Sequence, residues 1–226
     1  YDYHRAETVL NKIKKTLGNT VLDRQFLMRG ENLVNYRLNR ITVNEFLEGL
    51  QDAIRLTIPK YGEISLANWP LNLNEAGLLI NISTAYAEKE DYYKAIGILE
   101  EASSALKQSY MEDLQRATIQ TIILNNLSKC HGLIGNHEKA IEIAKEGISI
   151  SKTYKLGNVL SNMLYNISWN LEQLIKKGLL PQDKKQDCLS YLEQAYYIAS
   201  AMQQPFIEKF IENHLKTNYE GTVTNL

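Results

Sequence analysis

The sequence predicts an all-α fold, a superhelix of stacked helical hairpins, and three observations carry that expectation. Glycine and proline are scarce, 12 and 4 in 226 residues, and they gather at a few places. Between those places apolar residues recur at spacings of three and four, the period of a helix with one buried face. One pattern of small and large apolar residues then returns several times along the chain, as it does in repeat architectures.

Composition narrows the function classes. Hydrophobic residues make up 44% of the chain and aromatics 9%, ample for a continuous core. Twenty-five Lys and Arg against 26 Asp and Glu leave a net charge of -1, so no overall positive field exists to hold a phosphate backbone. Direct DNA contact is therefore not expected of these residues. Cys130 and Cys188 show neither CxxC spacing nor disulfide-scaffold density, which favours a reducing compartment. The apolar run at 119–127 falls well short of the roughly 20 residues of a membrane helix. No signal-peptide pattern is present, so a cytoplasmic location without membrane contact is expected. The chain opens Tyr-Asp-Tyr-His without an initiator Met, and a preceding segment is expected.

Eight breaks are read from glycine, proline and polar clusters, at 18–19, 40–42, 58–74, 90–91, 135–136, 156–158, 178–181 and 204–205. They imply about nine helices. Residues 1–26 form an N-terminal linker and first helix. Residues 27–204 form the repeat domain, with hairpins at about 27–60, 76–109, 121–155 and 161–203. Residues 205–217 place Phe206, Ile207, Phe210, Ile211 and Leu215 on one helical face, with Pro205 suited to the first turn, and are expected to be a capping helix or a dimer contact. Residues 218–226 are expected to be a flexible tail.

The repeat itself has a recognisable register. Leu79, Ile82, Ser83 and Tyr86, followed by Ala95, Leu99 and Ala102, fill the slots of W-x2-L-G-x2-Y and A-x3-F, the tetratricopeptide signature of about 34 residues. The register recurs with Leu124, Leu127, Ser128 and His131, then Ala140, Ala144 and Gly147. It recurs again with Leu164, Ile167, Ser168 and Leu171, then Cys188, Leu192 and Ala195 after an enlarged linker. A degenerate first copy uses Leu33, Val34, Phe46, Leu50 and Ala53, with Gly30 and Arg37 in signature slots. Small residues let the helices of a hairpin approach, larger ones bridge to the next hairpin, and stacking creates the core that no hairpin has alone. The expected fold is an all-α, right-handed superhelix of tetratricopeptide-like helical hairpins with a concave inner surface.

Aligning the four hairpins places an asparagine in the slot before the conserved apolar residue each time: Asn32, Asn81, Asn126 and Asn166, separated by 49, 45 and 40 residues. That slot is expected to face the concave groove. Helical spacing puts Asn35, Thr84, Lys129 and Trp169 beside them, with Asn162 one turn before Asn166. An asparagine offers an acceptor and a donor that match a peptide backbone. Tyr165, Trp169 and Ile80 are candidates for selecting side chains, and Arg116 and Lys129 for meeting a peptide carboxylate. Taken singly, an asparagine at such a position is more often occupied with nearby backbone groups; four in register favour the groove.

Chemistry has little foothold. Asn81, Asn126 and Asn166 each open an N-x-S triplet, but mid-helix, with the serine in the close-packing slot, so the repeat explains them better than glycosylation. Cys130 and Cys188 occupy alanine slots, and His131 and His137 occupy tyrosine slots, which packing accounts for without a metal. No nucleophile elbow, phosphate-binding loop or metalloprotease motif occurs. An enzyme, a cofactor or a metal is not expected.

The register and its asparagines resemble the tetratricopeptide domains of the peptide-pheromone receptors grouped as the RRNPP superfamily, including the Rgg and PlcR types. The last hairpin, Leu164-Tyr-Asn-Ile-Ser-Trp-Asn-Leu-Glu followed by Cys188-Leu and Gln194-Ala-Tyr-Tyr-Ile-Ala-Ser-Ala-Met202, is similar to the C-terminal segment of helix-turn-helix regulators of the XRE type. The resemblance implies a helix-turn-helix domain preceding Tyr1, a homodimer formed through the repeats, and a short peptide held in the groove by Asn32, Asn81, Asn126 and Asn166, as in quorum sensing. DNA would be met only by that preceding domain. The absent DNA-binding domain, the weak first hairpin and the linker at Leu179-Leu180-Pro181 depart from the family. The other reading is a freestanding scaffold for a segment of a partner protein.

Overall fold

The computed structural model describes residues 2–219, and within them the chain is all-α: ten α-helices and one turn of 3₁₀ helix at Gln182–Lys184. It divides into two compact units, Tyr1–Met111 and Glu112–Leu226.

The first unit holds α1 (Tyr3–Lys14), α2 (Val21–Arg37), α3 (Val43–Arg55), α4 (Leu73–Glu88) and α5 (Tyr92–Leu106), each packed on the next. The starts are written locally. Thr20 with Asp23, Thr42 with Glu45, and Asn72 with Glu75 form reciprocal capping boxes that satisfy backbone donors at the heads of α2, α3 and α4. The core is made by the repeat slots, with Leu50, Ala53, Leu79, Ile82, Ala95, Leu99 and Ala102 all at most 1% exposed. Even the 58–74 connection is seated there, through Ile58, Leu66 and Leu71.

The second unit holds α6 (Asp113–Leu133), α7 (His137–Tyr154), α8 (Leu160–Lys176), α9 (Lys185–Ala201) and α10 (Pro205–Asn218). Each packs on the next, and α8 also touches α6 and α10. The serines of the N-x-S triplets explain their slot. Ser128 Oγ donates to the carbonyl of Ala140 and Ser168 Oγ to that of Cys188, each at 2.8 Å. Both hydroxyls join the two helices of a hairpin. Ser83 instead turns to Ile80 O in its own helix, at 2.7 Å.

Four features differ from the sequence reading. The described residues contain ten helices rather than nine, because α5 and α6 are separated at 107–112, a stretch without glycine or proline. There Ser109 donates to the Leu106 carbonyl both from its backbone N–H, at 3.2 Å, and from Oγ, at 2.7 Å, at the end of α5. Helix α2 begins at Val21, six residues before the expected hairpin start at 27, because Thr20 and Asp23 cap it there. Asn218 and Tyr219, expected in a flexible tail, are ordered instead, since Asn218 closes α10 and Tyr219 is 5% exposed; the tail expectation for 220–226 lies outside the described residues. The apolar residues of α10 do not act as one face: Ile211 and Leu215 join the core, while Phe206 is 74% and Phe210 47% exposed.

Candidate functional site

The second unit carries a cavity of about 340 Å³ between α6, α8 and α10. Asn125, Lys129 and Leu133 line it from α6 at i, i+4, i+8, so three successive turns present one face. Helix α8 contributes Asn162, Tyr165, Asn166, Trp169 and Asn170, and α10 closes the side with Phe206, Ile207 and Phe210. The volume is at the low end of the roughly 300–1,000 Å³ of small-molecule clefts. Its walls combine apolar rings with a few converging polar groups.

Two hydrogen-bonded chains hold these walls. Asn166 Nδ2 donates to Asn125 Oδ1 at 3.3 Å, and Asn125 Nδ2 donates to Asn126 Oδ1 at 3.2 Å. Asn170, 1% exposed, donates from Nδ2 to Asn166 O at 2.7 Å, and its Oδ1 lies 2.9 Å from His137 Nδ1. A carbonyl oxygen only accepts, so His137 carries its proton on Nδ1; Nε2 then accepts from Lys177 Nζ at 3.0 Å. The His137 ring meets Trp169 edge-on at 5.9 Å. Asn170 and Trp169 press on Gly132 of α6, where any Cβ would lie 2.7 Å from Asn170 Oδ1.

The second chain ties the cavity to α10. Tyr165 Oη lies 3.2 Å from His214 Nδ1, and His214 Nε2 lies 3.0 Å from the buried Glu172 carboxylate. Tyr219 Oη donates to the same Glu172 oxygen at 2.7 Å. Tyr165 also packs against Phe210, ring centres 5.0 Å apart. Burial first, and then the Glu172 charge, push the Tyr165 phenol up to about 12. The same two causes, joined by the hydrogen bond to Glu172, raise Tyr219 further. Both phenols are held as donors.

The structure brings together five of the residues read from sequence: Lys129, Asn162, Tyr165, Asn166 and Trp169. Lys129 is exposed and makes no ion pair among the described residues. The others lie elsewhere. The cavity takes Asn125 and not Asn126, because on α6 it is the 125/129/133 face that turns toward α8. Arg116 pairs with Asp113 in the first turn of α6 and is not part of the lining. In the first unit, Asn32 Nδ2 donates to Met28 O at 2.9 Å and the amide lies over Gly49, so it faces its hairpin partner α3. Asn35 receives Arg40 at 3.4 Å, Thr84 bonds Ile80 O, and Ile80 is buried. Asn81 is half-buried on α4.

Sequence reasoning missed Asn125, Asn170 and the α10 wall. Asn125 was within reach, since the Tyr165 slot carried back one hairpin falls on it. Nothing local marks Asn170, whose side-chain partner His137 is at the head of another helix, α7. Both thiols are buried: Cys188 is pushed up to about 11, chiefly by desolvation, and burial raises Cys130 too. No group of three or more His, Cys, Asp or Glu among the described residues could hold a metal, and no helix is long and apolar enough to cross a membrane.

Comparison with known proteins places the fold. No family model and no curated sequence matches the chain. Among solved structures it is similar to Bacillus thuringiensis PlcR in complex with the peptide PapR7 and DNA, with a TM-score of 0.72 at 15% identity, over 92% of this chain and 69% of that one. The apo form of PlcR gives 0.71 at 13%, over 93% and 71%. A kinesin light chain of Podosopora anserina with nearly identical TPR-like repeats gives 0.52 at 16%, over 89% and 87%. Likeness at such identities is one of architecture, and the chain is an all-α protein of tetratricopeptide-like helical hairpins.

Proposed function

We propose that this chain is the peptide-sensing part of a DNA-binding transcription regulator and that the cavity between α6, α8 and α10 receives one or two residues of the ligand. The observation that carries this reading is the convergence of Asn125, Asn162 and Asn166 with Lys129 on a cavity walled by Trp169, Phe206 and Phe210. Amides pair with a peptide main chain, the rings take an apolar side chain, and Lys129 answers a carboxylate. The fold likeness to PlcR, solved with a peptide and DNA, supports the same reading.

In this reading DNA is contacted by a separate domain, the regulator is a homodimer acting in the cytoplasm, and peptide binding selects one position of α10. Helix α10 suits that role because it is both a cavity wall and, through His214 and Tyr219, bonded to α8. The second reading, a scaffold for a segment of a partner protein, draws support from the fold likeness to the kinesin light chain repeats.

Calorimetric titration with a pool of short peptides tests the proposal, on the native chain and on Lys129→Ala and Asn166→Ala. Saturable binding weakened by both substitutions supports the site. Binding untouched by either refutes it, and absence of peptide binding moves the weight to the scaffold.

A further inference from the structure

The first unit contains a half-buried guanidinium to which no described residue supplies a counter-ion. Arg29 of α2 reaches across to α4, and its guanidinium sits over Gly77, where a Cβ would lie 2.3–2.4 Å from Cζ and both terminal nitrogens. Any other residue at 77 would displace it. One terminal nitrogen donates to Asn74 Oδ1 at 3.2 Å. The Nε–H is buried and has no hydrogen-bond acceptor among the described residues, and Arg29 makes no ion pair with any of them. Desolvation alone lowers its pKa from the ordinary arginine value.

One turn along α4 from Gly77, about 6 Å by the helical rise, Asn81 presents a second buried donor without a partner, its Nδ2. The neighbouring acceptors are committed. Glu75 bonds the backbone of Asn72 at its own helix head, and Glu88 takes Tyr36 and Arg37. Asn74 Oδ1 already accepts from Arg29, and Gln25 Oε1 accepts from Asn74 Nδ2. Buried polar groups are almost always satisfied, and a charge taken out of water without a counter-ion is unfavourable. Two orphaned donors and a positive charge, carried by α2 over Gly77 and by α4 one turn further on, match an anionic acceptor with more than one lone-pair site.

We propose that Arg29 and Asn81 form a carboxylate-binding site on the first unit, with the carboxylate accepting from Arg29 Nε–H and Asn81 Nδ2–H. This site stands apart from the cavity of the second unit and does not depend on the function proposed for it. Carboxylate is favoured over a single-atom anion because its two oxygens match two donors of different residues. The carboxylate belongs either to a peptide end or to a free small acid.

The test is NMR on the full ¹⁵N-labelled chain, following the Arg29 Nε–H and Asn81 side-chain amide while sodium acetate replaces sodium chloride at constant ionic strength. Both signals are expected to move saturably with one dissociation constant, and Asn81→Ala to weaken acetate by about tenfold, the loss of about one charge-assisted hydrogen bond. In Arg29→Met the Asn81 signal is expected to stop responding. Should that variant not fold, Asn81→Ala together with Arg29→Lys, which keeps the charge and loses the Nε donor, carries the same comparison. Silent resonances, or an acetate response in the variants equal to the native one, overturn the proposal. Displacement of acetate by a short free-acid peptide but not by its C-terminal amide assigns the carboxylate to a peptide end; displacement by neither assigns it to a free acid.

Discussion

Gly132 sets local preference against tertiary contact, and alanine there decides between them. The residue lies in the last turn of α6, where alanine would favour the helix by about 1 kcal/mol. Its Cβ would, however, stand 2.7 Å from Asn170 Oδ1, 3.1 Å from Asn170 Nδ2 and 3.0 Å from the Trp169 ring. Asn170 is 1% exposed and has no solvent to move into. Overpacking costs about 1–3 kcal/mol, and weakening the bonds of Asn170 to His137 and Asn166 adds about 1 kcal/mol. After subtracting the helical gain, Gly132→Ala is expected to destabilise by about 2 kcal/mol.

Gly97 is the control, since it sits within α5 with nothing within 4 Å of its Cβ position, and Gly97→Ala should stabilise by about 1 kcal/mol. Urea denaturation measures both changes, and the Trp169 indole N–H resonance reports whether the cavity wall moves. A Gly132→Ala chain as stable as the native one, with that resonance unmoved, would refute the reasoning. It would mean that α6 and α8 are not in the close contact described.

Three further outcomes are expected. Tyr219→Phe keeps the ring and removes a buried donor to the Glu172 carboxylate, so unfolding should become easier by about 1.5–3 kcal/mol, read from a denaturant midpoint. Alkaline pH should destabilise the second unit: Cys188 and Tyr165 have folded pKa values raised to about 11 and about 12, so their contributions are complete below the unfolded values and fade as pH climbs from about 9 through 12. A thermal midpoint flat across that window would contradict this. Ser128→Ala and Ser168→Ala each remove a cross-helix hydrogen bond and should cost about 1 kcal/mol apiece by the same denaturation measurement.

The order of helices was legible because the signals for it are local. Glycine, proline and polar clusters mark the breaks, and Gly135 and Gly178 end α6 and α8 with positive φ, whereas the sequence reading does not use the caps at Thr20, Thr42 and Asn72 and places the start of α2 too late. The 107–112 break contains no glycine or proline, so that signal was missing there. The alanine, serine and cysteine slots were legible too, since only a small residue tolerates the approach of two helices, and Ala95, Ala140 and Cys188 are all fully buried.

The sequence by itself determined a succession of tetratricopeptide-like hairpins and a set of amides on their first helices. It did not determine which amides meet. Asn125 and Asn126 differ by about 100° around one helix, and the packing of α6 on α8 turns the first toward the cavity. The fold-back of α10 on α8, which makes Phe206 and Phe210 a wall and links Tyr165 through His214 to Glu172, joins residues more than 40 positions apart. The seat of Arg29 over Gly77 does the same between α2 and α4. Such pairings depend on how helix faces are rotated when several pack at once, a property of the assembled core that no local spacing encodes.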